Sequence, residues 1–427
     1  MKTRFFTILG VLALLAAACA PGAPEGEAPA EGEATQLEIF SWWTGAGEEA
    51  GLLALIDLYK QDHPNVEVIN AAVAGGAGTN AKAVLASRMQ AGDPPDTFQV
   101  HAGEEILATW VEAGRMEALN DLYQEEGWQG MFPEQLIEMV SRDGNIYSVP
   151  VNIHRANVLW TNPAIFEEQG IEPPATIEDF FTVAEQLETA GVTPLALGDK
   201  EPWALLHLWE SVLLATAGPE GYQAVFSGET SFDSPEVRES LEVLAEIFQF
   251  VNDDHAARNW QDAAQLVGNG EAAMNVMGDW AAGYFTVDLE LEPGTGFGWA
   301  ASPGTGGNFL IVSDTFGLPT GAPHPQPTMD WLRLLGSVEG QDTFNPLKGS
   351  IPARLDADPG AYNAYGQSAL EDFGQDALVP SLAHGSAANP GFLDGALQVM
   401  SVFASNQDVD QAVQGLVAAA EQNPLGG

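Results

Sequence analysis

From residue 37 onward, short β-rich runs alternate with amphipathic helical stretches, and that alternation admits few architectures. A buried strand followed by a helix with one apolar face packs as an α/β domain around a mostly parallel sheet. Residues 37–43 read as the first strand. Residues 48–62 follow as a helix with Leu52, Leu55, Ile56 and Tyr59 on one face, stopped by Pro64. Residues 66–73 read as a second strand, 79–90 as a helix capped by Thr79, and 97–101 as a third strand after the Pro94-Pro95 turn. These units make a first lobe.

A chain of 427 residues is too long for one small core, so at least a second lobe is expected. The run from Tyr147 to Ile153 is extended and reads as a strand crossing into it. The Gly, Ser and Pro-rich stretch 294–307 and the segment 348–352 read as two further crossings. This places 37–149 and 307–349 in an N-terminal lobe, and 150–306 and 350–427 in a C-terminal lobe.

The first residues have the parts of an export signal: Lys2 and Arg4, an apolar run from Phe5 to Leu15, then Ala16, Ala17 and Ala18. Cys19, the sole cysteine, follows at once, so no internal disulfide can form. Residues 15–19 resemble a bacterial lipoprotein box with Cys19 as the lipidation site; the alternative is an ordinary cleaved signal. Residues 20–36 are rich in Ala, Pro, Gly and Glu and read as a flexible tether.

With 14 basic and 60 acidic side chains the formal charge is −46, which repels nucleic acid and excludes that class of partner. The carboxylates are spread along the whole chain and read as a solvated surface suited to high salt. Enzyme signatures are absent: no Gly-x-Ser-x-Gly, no His-Glu-x-x-His, no paired cysteines. Gly75-Gly76-Ala77-Gly78 before Lys82 reads as a turn, since Lys82 lacks the flanking residues of a phosphate loop.

The informative residues are aromatic. Trp42 and Trp43 sit at the carboxyl end of the first strand, where ligands of open α/β sheets bind. Adjacent strand residues face opposite ways, so at most one enters the core while the other lines a cleft. An indole offers a stacking surface to the C–H face of a sugar, and polar groups serve the hydroxyl rim. Asp279-Trp280 repeats this pairing further along. Lysine beyond the signal occurs only at Lys60, Lys82, Lys200 and Lys348. Of these, Lys82 near the strand ends and Lys348 in a crossing are site candidates. His101, His154, His384 and Asp314 are further candidates, each with an equally ordinary structural reading.

Four passages carry a resemblance: Phe40-Ser41-Trp42-Trp43, residues 92–101, residues 276–281 and residues 344–352. With them the chain resembles the extracellular solute-binding proteins of ABC sugar importers, and among them the bacterial glucose/galactose-binding proteins. The resemblance implies a two-lobed, hinged, periplasmic-binding-protein-like fold with three crossings between lobes. It implies a monosaccharide held by Trp42, Trp43, Glu48, Glu49, Lys82, Gln99, His101, Asp279, Trp280, Asp314, Lys348 and His384, with one of Glu48 and Glu49 left undecided. Asn152 and His154 remain open. It implies an ABC permease as partner, a monomer, no cofactor, no metal and no reaction. An oligosaccharide or polyol receptor, a ligand presenter for chemotaxis and, more remotely, a glycoside hydrolase are the rival readings.

Overall fold

The computed structural model describes residues 35–75 and 78–425. The expected signal, Cys19 and the tether lie outside these residues. Among the described residues no helix is long and apolar enough to cross a membrane.

The first lobe is built on a five-stranded sheet in the order Val66–Asn70, Thr35–Phe40, Thr97–His101, Asp314–Gly317, Ser148–Pro150. Its first three strands are parallel, as the βαβ alternation requires, and Asp314–Gly317 runs antiparallel to its neighbours on both sides. The helix Ala46–Asp62 carries Leu52, Leu55, Ile56 and Tyr59 at helical spacing, each 3% exposed or less. That stripe is what docks it.

Three local expectations are corrected. The first strand ends at Phe40, so Trp42 and Trp43 stand in the loop after it. Thr79 is the first residue of its helix, with Gly78 at the cap position. Lys348 ends the helix Val338–Lys348 instead of lying in extended chain. The helix continues through Pro346, which reads in sequence as a breaker.

The second lobe holds a four-stranded sheet, Gly298–Ala301, Val158–Thr161, Ala272–Val276, Thr193–Ala196, and a three-stranded one, Ala377–Pro380, Asn308–Val312, His154–Arg155. At two places consecutive strands only a few residues apart belong to sheets of different lobes. The chain leaves the first sheet at Pro150 and enters the three-stranded sheet at His154; it returns at Ser313, between Val312 and Asp314. A third passage follows Lys348, where Ile351 exchanges both backbone hydrogen bonds with Ile153, at 2.8 and 3.0 Å. Three crossings thus meet side by side, and the polar residues just before and after them converge.

Candidate functional site

Trp42 and Trp43 part company. Trp43 is fully buried, its ring 4.7 Å from Phe344 and 5.5 Å from Phe316, so the structure places it in the core and not at the cleft. Trp42 remains part-exposed, its backbone N–H donating to Oε1 of Gln99 at 3.1 Å. Its ring meets the His101 ring edge-on at 5.1 Å, and the Lys82 ammonium lies 5.2 Å from its centre. From His101 the line of rings crosses to the second lobe: His384 at 5.6 Å, then Trp280 at 4.9 Å from His384.

A polar chain runs along the crossings beneath these rings. Gln99 Nε2 donates to Oδ1 of Asp314 at 2.7 Å, and Asn152 Nδ2 donates to Oδ2 of Asp314 at 2.8 Å. Asn152 Oδ1 accepts from the Asp314 backbone at 2.7 Å, which pins the first crossing to the second. His154 stands with Nε2 3.4 Å from Asp314 and Nδ1 bonded to Asp279; the second oxygen of Asp279 accepts from the Arg155 backbone at 3.0 Å. Arg155 itself is anchored by Asp372 and Asp376. Lys348, 3% exposed, bonds Oε1 of Glu48 at 2.8 Å and stands 5.9 Å from the Trp280 ring centre. Glu49 is exposed, so Glu48 is the carboxylate that reaches the site.

Two bonds close the mouth. The Glu105 N–H donates to the carbonyl of Gly385 at 2.9 Å, and Ser386 Oγ donates to the carbonyl of Ala102 at 2.8 Å. The approach needs Gly103: its φ is +100°, and a Cβ there would lie 2.7 Å from the Ser386 Cα.

Such a set of rings and charged groups, gathered between two lobes at three crossings, is the arrangement of a solute receptor. The profile of the bacterial extracellular solute-binding proteins matches residues 36–342. The chain belongs to that family. An ABC transporter extracellular-binding protein of Pyrococcus horikoshii is 39% identical over 97% of this chain and 94% of its own length. A probable sugar-binding periplasmic protein of Rhizobium meliloti is 31% identical over 98% of this chain and 99% of its own. The solved bacterial solute receptor AcbH, described as preferring β-D-galactopyranose, superposes with a TM-score of 0.81 at 18% identity, covering 91% of this chain and 98% of its own. The fold is therefore the two-lobed one, and this extracellular solute-binding protein acts outside the cytoplasm.

The receptor's charges are set by their neighbours. Burial would raise the Asp314 carboxyl, but the hydrogen bond from His154 and the charges of Lys348 and His101 outweigh it and hold the group well below the usual carboxylate range. Burial would likewise raise Glu105, yet Lys82 and His101, both 2.8 Å from Oε2, bring it down to about 2. Burial and the charge of Lys348 disfavour a proton on His154, but Asp279 and Asp314 prevail and raise it. At neutral pH the cleft therefore offers ionised acceptors and ammonium donors together.

Of the sequence candidates, Trp42, Glu48, Lys82, Gln99, His101, Asp279, Trp280, Asp314, Lys348 and His384 come together in this receptor; Trp43 and Glu49 do not. Glu105, Trp203, His207 and Glu210 were missed. Glu105 had a signal, its four-residue spacing from His101. His207 and Glu210 had one too, since residues 202–214 are apolar on every side and any polar group among them must be buried.

Proposed function

We propose that this protein captures a monosaccharide, glucose or galactose first, between its lobes and delivers it to the permease of an ABC importer. The observation that carries the reading is the pair of indoles, Trp42 on one lobe and Trp280 on the other, each beside a lysine and joined through His101 and His384. Indoles suit the C–H faces of a pyranose; Glu48, Asp314, Asp279, Lys82, Lys348 and Gln99 suit its hydroxyls. Successive rings only 4.9 to 5.6 Å apart, with hydrogen bonds across the mouth, suit one sugar ring better than a chain.

Each hydroxyl left unpaired in such a site costs roughly 1 to 3 kcal/mol, so epimers are separated by their hydroxyl geometry. Contacts from both lobes make the ligand favour the closed form, and closure is what a permease reads. The lobes we assign are the expected 37–149 with 307–349 and 150–306 with 350–427, except that residues 307–312 go with the second lobe because the strand Asn308–Val312 pairs there, so the return lies at Ser313 and not within 294–307. Lipidation at Cys19 would hold a monomeric receptor at the outer face of the cell membrane, and no reaction is assigned to it. Relatives named for sugar binding support the substrate class.

Calorimetry of the purified protein with glucose, galactose, xylose and maltose tests this. Binding of a hexose, abolished by Trp280→Ala in a folded variant, is the expected outcome. Preference for maltose would move the assignment to oligosaccharides, and hydrolysis of an aryl glycoside would overturn the receptor reading.

A further inference from the structure

The helix Pro202–Phe226 buries a carboxylate, Glu210, with no exposed surface. It is satisfied by one short turn of the second lobe. Oε1 accepts from Ser381 Oγ at 2.8 Å, and Oε2 accepts from the backbone N–H groups of Leu382 at 2.6 Å and Ala383 at 3.0 Å. Ser381 has one hydroxyl proton, and when Glu210 is ionised that proton is donated in the hydrogen bond to its carboxylate. The oxygen can then only accept, and the group 2.8 Å away is Nδ1 of His384. His384 must therefore carry its proton on Nδ1, which leaves Nε2 a bare lone pair. Burial, with His207, His101 and Lys82 nearby, holds this imidazole neutral by pushing its pKa well below the usual value.

We propose that Glu210, acting through Ser381, is a positioning residue that fixes the tautomer of His384, so that Nε2 presents an acceptor to one donor hydroxyl of the sugar. This rests on the monosaccharide reading above. The His384 ring lies among Trp280, Trp203 and His101, and Nε2 has no protein partner among the described residues. In the other tautomer Nε2 would donate, and the same cleft would select a different hydroxyl pattern.

One competing use of these groups exists. His207, Glu210 and His384 bring ligand atoms within 4.8 Å of one another, and both ring nitrogens of His207 are buried without partners. A cation would have to displace the donors that already occupy Glu210 and the bond between Ser381 and His384. The hydrogen-bond accounting favours the relay.

The test is long-range proton–nitrogen correlation on the full chain labelled with ¹⁵N-histidine. It is run at about pH 8, where Glu210, raised by burial to about 7, is ionised. The expected result is a neutral His384 ring protonated on Nδ1. Ser381→Ala should shift it toward Nε2 protonation and weaken hexose binding by about tenfold, and Ser381→Thr should restore both. Glu210→Gln should mix the tautomers, and if it fails to fold the two serine variants decide. A wild-type ring protonated on Nε2, or a Ser381→Ala protein with unchanged tautomer and affinity, overturns the proposal. So does a stoichiometric Zn²⁺ titration that moves the His207 and His384 resonances together. If no sugar binds, the monosaccharide reading fails alone, because the tautomer is read without ligand.

Discussion

The ammonium of Lys348 lies 2.8 Å from Oε1 of Glu48, a residue 300 positions earlier in the chain, and 5.9 Å from the centre of the Trp280 ring. One lysine at the end of a first-lobe helix thus touches the opening turn of another helix and the indole wall of the second lobe. It is nearly sealed from solvent, and its charge acts on His154 and Asp314 along the crossings.

Replacing it should be costly twice. Lys348→Met leaves Glu48 without its cation and removes a hydroxyl donor. Chemical denaturation should show a loss of about 2 kcal/mol, and calorimetry a hexose affinity weakened by about tenfold or more.

The adjacent tryptophans should behave oppositely. Trp43→Ala empties a packed core position against Phe316 and Phe344 and should cost about 3 to 5 kcal/mol of stability. Trp42→Ala should leave the melting temperature nearly unchanged and abolish measurable hexose binding. Thermal melts and calorimetry on both variants separate core from cleft.

Lobe contact at Gly103 gives a third test. Gly103→Ala combines a strained left-handed residue with a Cβ 2.7 Å from Ser386, whereas Gly114→Ala has the strain, at φ +64°, with no atom within 4 Å. Gly114→Ala should lose about 1 to 2 kcal/mol of stability, and Gly103→Ala at least as much. Only Gly103→Ala should lose sugar affinity, and small-angle scattering should show it more open with ligand present.

Acid should weaken the protein through Glu105. Its carboxyl, ordinarily near 4.5, is held at about 2 by Lys82 and His101 against burial. The unfolded chain therefore binds the proton first as pH falls. The stabilisation is complete above 4.5 and is lost as pH drops from 4.5 through 2, about 3 kcal/mol in all. Denaturation curves across that window should lose this slope in Glu105→Gln.

Much of this receptor was legible from residue order. The period of the apolar positions named the parallel strands and the helix carrying Leu52, Leu55, Ile56 and Tyr59. The scarcity of lysine drew attention to Lys82 and Lys348, and both lie beside an indole. Such features are local, set by side-chain spacing that a reader can count.

What only the folded chain decided is which groups share the cleft. Trp42 and Trp43 are equal in sequence, and the end of the strand at Phe40 sends one to the core. Glu48 and Glu49 are equal too, and the distant Lys348 selects between them. Glu210 becomes a partner of His384 only because the turn at Ser381 packs against its helix. These outcomes depend on chain segments brought together by burial of distant surfaces, and no spacing along the sequence encodes a distance across the molecule.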